Sequence, residues 1–185
     1  MGRMSDVDVR PVRADEWRAV KELRLAALRD EAASIAFLET YEEAVARPDD
    51  FWRDRAAGNS HGTWARQFVA EASGGRLVGS VVLLVEEAGA KDYFGDPVER
   101  RQGAVVGVYV RPEARGGGVV RGLFDAAVEW AWTIDGIDRV RLYVHEDNAR
   151  AEAFYRRYGF VRTGGAVPMA GDPSKLEREM ELRKS

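Results

Sequence analysis

Three consecutive glycines, Gly116 to Gly118, lie between a Pro-bounded turn and an apolar run, and these are the residues of the chain best placed to do chemistry. The order is a short apolar strand ending in Val108, Tyr109 and Val110, a turn at Pro112, then Arg115, the glycines, and a helix opening on Val119, Val120 and Arg121. Glycines remove the Cβ atoms that keep a ligand off the main chain, and the first helical turn offers N–H groups that have no partner within the helix. The helix start also carries partial positive charge, and Arg115 and Arg121 are close in sequence, so a pyrophosphate can be held here largely by backbone donors. An ordinary glycine-rich turn is the competing reading of the glycines alone.

Two other phosphate loops do not match. A P-loop needs Lys and then Ser or Thr after its second glycine, and the available frame from Gly117 to Gly122 is followed by Leu123 and Phe124. The dinucleotide fingerprint begun at Gly116 demands glycine where Arg121 stands.

The elements that must position this loop follow from periodicity and turn residues. Val7 to Val12 reads as a strand, followed by a helix from Ala14 to about Leu28 with Trp17, Val20, Leu23 and Ala27 on one face. Residues 30–57 read as broken helix, with Pro48 opening a short helix that carries Phe51 and Trp52. Thr63 to Ala72 and Leu77 to Glu87 flank a turn containing Gly74 and Gly75 and form a hairpin. Residues 88–103 make a polar loop bearing Tyr93 and Phe94, long enough to suggest function.

Ala104 to Val110 is apolar on both faces, as a covered central strand must be, and Gly107 within it marks a bulge or a close backbone approach. The helix Val119 to Ile134 places Val120, Leu123, Ala127, Ala131 and Ile134 on its buried stripe. Its start is weak, since Gly122 costs roughly 0.5–1 kcal/mol relative to Ala. Val140 to Val144 alternates as a strand, Ala149 to Tyr158 is a helix closed by Gly159, and Lys175 to Arg183 is read as a last strand.

With 185 residues, 45% hydrophobic and 32% charged, the chain suits one globular domain spanning 1–185. There is no cysteine, so disulfides, thiolate metal sites and a cysteine nucleophile are excluded; a reducing cytoplasm is the expected compartment. A formal net charge of -3 gives no footprint for nucleic acid. The most apolar segments fall far short of the roughly 20 residues that cross a bilayer. The first residues, Met1 to Asp6, lack the apolar core of a secretory signal and are expected to fray.

The glycine segment resembles motif A of the GNAT superfamily of N-acetyltransferases, with Arg115 and Gly118 at two of its defined positions and Val120 where the motif has Gly or Ala. Leu142, Val144, Asn148, Ala151, Phe154, Tyr155, Gly159 and Phe160 are spaced as in the family's second signature. The first strand and helix are similar to those of many members, while residues 30–100 are poorly covered.

The resemblance implies a mixed α/β (α+β) fold: a mostly antiparallel central sheet of about six to seven strands, helices on both faces, and a central strand pair splayed by a bulge at Gly107. It implies acetyl-coenzyme A as acyl donor and no metal. The pyrophosphate would lie on Arg115, Gly116, Gly117, Gly118, Val119 and Val120, the pantetheine on main-chain groups of Val108, Tyr109 and Val110, and Asn148 would also touch the cofactor. Tyr155 matches the general acid that protonates the departing sulfur; as a bare residue it could equally be a packing aromatic, and Asn148 a helix cap.

The implied reaction is direct attack by a primary amine of a small molecule, peptide or protein. A non-catalytic acyl-coenzyme A sensor is the alternative. No nucleic acid or membrane partner is expected, and a homodimer stays open. The family often places a glutamate base on the strand before the loop, and Ala104 to Val110 has no carboxylate. Glu71, Glu86, Glu87 and His145 are candidates by type, with surface charge the plainer reading of each. Trp52, Trp64, Tyr93 and Phe94 could line an acceptor pocket, although core is their commoner place.

Overall fold

Gly107 takes φ +63° within β4 (Gln102–Val110), a left-handed value that costs glycine little, and the centre of the sheet is shaped around it. The structure, a computed structural model, describes residues 6–185. In β3 (Leu77–Glu86), Ser80 pairs with Tyr109 and Val82 with Val106, so Val81 faces two residues of β4. That is the expected bulge, and it bends β4.

The bend carries β4 away from β5 (Arg139–His145), its parallel neighbour. Residues pair only at Gly103 with Val140 and Ala104 with Arg141, after which the strands part. Gly103 permits the close approach: a Cβ there would stand 3.2 Å from Val140 Cγ2.

The sheet has seven strands among the described residues, in the order β1-β2-β3-β4-β5-β7-β6, and every neighbouring pair except β4 and β5 is antiparallel. Here β1 is Val7–Pro11, β2 Ala65–Ala72, β6 Val161–Met169 and β7 Asp172–Arg183. The expected hairpin joins β2 to β3, with Gly74 and Gly75 both at positive φ. β7 confirms the strand reading of the C-terminal segment. β6 is a strand that the sequence reading missed, because Gly164, Gly165 and Pro168 interrupt it and most of it lies exposed at the sheet edge.

Side chains alternate across the sheet. Phe68 and Ala70 point to the face covered by α5 (Val119–Thr133) and α6 (Ala149–Tyr158), whereas Val69 points to α1 (Trp17–Leu28). On the α1 side, α2 (Ala33–Ala36), α3 (Tyr41–Ala46) and α4 (Asp49–His61) complete the layer, with Trp52 buried among them. Pro48 precedes α4 as its N-cap, and the helix runs to His61, longer than the short helix expected.

Two further differences concern α5. Its buried stripe is Val119, Leu123, Phe124, Ala127, Val128 and Ala131, so Val120 and Ile134 fall at the margin and are only half-buried. Burying Leu123 and Phe124 contributes about 1.5–3 kcal/mol each, which offsets the weak start at Gly122. The α6 end is as read: Phe160 N–H donates to Tyr155 C=O and Gly159 N–H to Arg156 C=O, a Schellman closure. No helix among the described residues is long and apolar enough to cross a membrane. The expectation of a frayed start falls largely on residues 1–5, which lie outside the described residues.

Candidate active site

Where β4 and β5 part, a cleft of about 880 Å³ runs through the sheet. Its lining includes Val108, Tyr109, Val110, Arg115, Gly116, Gly118, Val119, Val120, Asn148 and Tyr155, nearly all the residues singled out from the sequence. Gly117 is the exception. It belongs to the same loop but does not line the cleft.

The loop is built for close approach. Gly116 and Gly118 stand at φ +81° and +80°, and Gly118 caps α5 in the left-handed conformation. A Cβ on Gly116, Gly117 or Gly118 would meet nothing within 4 Å, so the main chain here faces open space. The first bond of α5 runs from Gly122 N–H to Gly118 C=O, which leaves the N–H groups of Val119, Val120 and Arg121 without helical acceptors.

Arg115 is held differently from the sequence expectation. Its Nε donates to Val110 C=O at 2.9 Å and its Nη2 to Asp30 Oδ2 at 2.7 Å, so it clasps the end of β4 to the end of α1. Unpaired cations come instead from Arg121 and from two residues that the sequence reading did not select, Arg150 and Arg157. All three line the cleft and form no ion pair among the described residues. The run from Arg150 to Arg157 on a helix beside the glycine loop was the available signal.

Main-chain groups are also free on the strand. Arg111 N–H donates to Val78 C=O, so by antiparallel alternation the groups of Val108 and Val110 point away from β3, toward the gap, and of these the Val110 C=O is taken by Arg115 Nε. Asn148 caps α6, its Oδ1 accepting from Ala151 N–H at 3.2 Å, while it also lines the cleft. Tyr155 packs its ring on Phe124 and Phe160, and burial together with the charge of Glu177 pushes its hydroxyl up to about 12.

Of the four candidate bases, three are committed elsewhere. Glu71 accepts from Arg10, Glu86 takes both Nε and Nη2 of Arg141 at 2.8 and 2.9 Å, and Glu87 accepts from Arg101. Like Glu86, His145 lines the cleft. It is buried, and its Nδ1 accepts from Asp147 N–H at 3.0 Å, which leaves the proton of the neutral ring on Nε2. Directly opposite it on β7 stands Glu177, buried in the same cleft with no side-chain hydrogen bond or ion pair among the described residues. Burial pushes its carboxyl above the ordinary range, with His145 opposing. The sequence reading missed Glu177, since nothing in an alternating strand end distinguishes an inward carboxylate from a solvated one.

The aromatics divide. Trp52 is core, Trp64 is exposed and outside the cleft, and Tyr93 and Phe94 line it, Phe94 packing edge-on to Tyr143 with centroids 4.7 Å apart.

Comparison with known proteins agrees with this geometry. The acetyltransferase (GNAT) family matches residues 16–160, and the chain belongs to that family. Among curated relatives it is 34% identical over 128 residues to a mycothiol acetyltransferase of Salinispora tropica, covering 69% of this chain and 36% of that protein. A second, from Saccharomonospora viridis, is 40% identical over 93 residues, 50% of this chain and 29% of the relative. The chain thus spans about a third of the length of these relatives. The PaiA N-acetyltransferase of Thermoplasma acidophilum, solved with coenzyme A, superposes with a TM-score of 0.71 at 18% identity, covering 96% of this chain and 99% of that one. The spermidine N-acetyltransferase of Vibrio cholerae, solved with coenzyme A and spermine, gives 0.62 at 20% identity over 96% and 95%. These two likenesses establish the fold.

Proposed function

We propose that the cleft binds acetyl-coenzyme A and that the chain is an N-acetyltransferase acting on a primary amine. The observation that carries the reading is the parting of β4 from β5 directly beside the left-handed glycines at the mouth of α5. The residues present fit the donor. Open main chain at Gly116 to Gly118 and the unbonded N–H groups of Val119 and Val120 suit a pyrophosphate, with Arg121, Arg150 and Arg157 adding charge. Val108 and the N–H of Val110 offer the gap-side main-chain groups that suit pantetheine amides, the Val110 C=O being taken by Arg115, and Asn148 lies alongside. The half-buried Val120 side chain takes the motif's Gly or Ala position while leaving its own N–H available.

When bound, acetyl-coenzyme A supplies the acyl group as a thioester. The acceptor must reach it as a free amine, and an alkylammonium has a pKa of about 10.4, so a base is needed near neutral pH. We assign that role to Glu177, with His145 as the neighbouring group that orients and shares the proton. The other carboxylates of the cleft, Asp30, Glu39, Glu86 and Asp92, are each paired with arginine. Glu177 has no such partner among the described residues, and its raised proton affinity suits it to the task. An N–H of Val108 or Val110 is suited to donate to the carbonyl oxygen as negative charge develops there. Tyr155 keeps its proton throughout the physiological range and donates to the departing sulfur. A thiolate of ordinary pKa about 8.5 would not take that proton outright, but desolvation in the cleft raises the thiolate's own proton affinity.

The test is calorimetric titration with acetyl-coenzyme A, NAD and ATP, followed by thiol release across an amine panel. Binding of acetyl-coenzyme A alone among the three, with amine-dependent thiol release, is expected. Binding without release on any amine would turn the reading to a sensor, and no binding at millimolar concentration would end it.

A further inference from the structure

The wall of the cleft formed by α1, α3 and α4 carries an excess of positive charge. Arg24 Nη2 lies 3.0 Å and Arg47 Nε 2.8 Å from opposite oxygens of Glu39, so one carboxylate already serves two guanidinium groups. Arg24 is further fixed by stacking over Phe37, 4.7 Å from the ring centroid. Arg55 on α4 joins this wall, is only partly exposed, and has no hydrogen bond or ion pair among the described residues. Three guanidinium groups therefore face one carboxylate.

Burial and the neighbouring Arg24 work to hold the Arg55 guanidinium below the usual arginine range; Glu39 opposes this and Arg47 adds to it. Arginine does not respond to such an environment by losing its proton, so the cation remains and its lost hydration goes unrepaid until an anion arrives. Arg24 and Arg55 also line a side chamber of about 30 Å³ with Val82, Gly107 and Tyr109, which brings them beside the β4 bulge. Asn59, one helical turn beyond Arg55, faces the same cleft and can add an amide donor. Glu177 and His145 belong to the same cleft but rise from β7 and β5, not from this helical wall.

We infer that Arg55, supported by Arg24 and Asn59, receives a carboxylate carried by the acceptor, so that the substrate is an amino acid or a related amino carboxylate and not a polyamine. The inference rests on the acetyl-transfer reading above and narrows its substrate class. A single free guanidinium fork matches one carboxylate in a bidentate pair, while Arg24 and Arg47 are already engaged by Glu39. The amine end would then meet Glu177, the cleft carboxylate that no arginine neutralises.

The test is a matched panel of free amino acids, their amides and spermidine, titrated by calorimetry into the full chain saturated with coenzyme A, and repeated on Arg55→Met and Arg55→Lys. At least one free acid should bind roughly 10- to 100-fold more tightly than its amide, the range for a charge-assisted hydrogen-bonded pair. Arg55→Met should abolish that preference and Arg55→Lys should recover part of it. The melting temperature of Arg55→Met should hold or rise, since an uncompensated cation is removed, whereas a purely structural arginine would lower it. Equal binding of acids and amides, tighter binding of spermidine, binding of no acid at all, or an intact preference in Arg55→Met would each overturn the inference. Thiol release on the same panel separates the two readings. Acids that bind without release leave the carboxylate subsite standing and remove the transfer reaction; release that is indifferent to the carboxylate does the reverse.

Discussion

His145 and Glu177 stand directly opposite each other on the antiparallel strands β5 and β7, both buried and both lining the cleft. Burial lifts the Glu177 carboxyl above its ordinary range, with the neighbouring His145 opposing. Below that raised pKa the group is protonated and cannot accept the ammonium proton, so kcat/KM should climb with pH through it. Glu177→Gln should remove this rising limb and lower turnover by about 10²-fold or more. A pH-rate profile of the two proteins decides, and an unchanged limb would clear Glu177 of the role.

The same group carries a stability signature that is independent of turnover. Because the folded pKa lies above the unfolded one, the unfolded chain gives up its proton first as pH rises. Stability is therefore lost from the unfolded pKa up to the raised folded value. Glu177→Gln should melt higher than the parent at pH 8, and the difference should shrink as the pH falls below the ordinary carboxylate range. A parent that melts higher at pH 8 would mean that Glu177 is structurally paired.

Tyr155→Phe should lower turnover roughly 10²- to 10³-fold while leaving coenzyme A affinity unchanged. The hydroxyl makes no hydrogen bond within the described residues, and the ring contacts with Phe124 and Phe160, at 5.7 and 6.2 Å between centroids, survive the substitution. The melting temperature should accordingly hold. Single-turnover kinetics beside calorimetry checks both halves, and equal turnover would take Tyr155 out of the mechanism.

How far the sequence carried depended on whether a feature was local. Gly107, the glycine loop and the Gly159 closure were legible because each states a backbone conformation that few other residues adopt. The splayed strand pair at β4 came from the resemblance, and the bulge explains the parting. β6 was invisible because an exposed edge strand broken by Gly164 and Pro168 has no periodicity to read. The cleft's ionic arrangement was invisible for another reason. Arg115 meets Asp30 across 85 positions of chain, and Glu177 faces His145 across 32 without an ion pair among the described residues; side-chain type alone does not say which charges are spent and which stay free.

The clasp between Arg115 and Asp30 yields a test of that last point. Burial pushes the Asp30 carboxyl up, but the Ala32 N–H and the Arg115 guanidinium outweigh it and hold the group below its usual range. Asp30→Asn should therefore destabilise the fold by about 1–3 kcal/mol at neutral pH, a loss that fades as pH falls through the depressed folded pKa. If Arg115 acts by holding the loop, Arg115→Met and Asp30→Asn should weaken coenzyme A to a similar extent, and the double variant should cost little more. Calorimetry on the three variants measures the coupling. A far larger loss in Arg115→Met would mean that the arginine reaches the ligand itself.

Arg141 organises the opposite rim. Its guanidinium donates to both oxygens of Glu86, to Asp92 at 2.8 Å and to Glu179 at 2.9 Å, and lies almost wholly buried. Asp92 in turn accepts from the main-chain N–H groups of Phe94 and Asp96, each at 2.9 Å, so this cation ties the loop over residues 87–101 to β5 beside the packing of Phe94 on Tyr143. Arg141→Met leaves Glu86 and Asp92 facing each other without a counter-ion, while Glu179 keeps its pairing with Arg139. Removing one partner of a buried ionic group costs roughly 3–5 kcal/mol, or about 10 °C of melting temperature for a chain of this size. The loss should be local in its first expression: hydrogen exchange should quicken across the loop, Phe94 should leave Tyr143, and KM for the acceptor should rise while coenzyme A affinity holds. Exchange measured peptide by peptide distinguishes this from global loosening, which would raise exchange equally in α5 and β3 and would mean that Arg141 serves the whole sheet and not the rim.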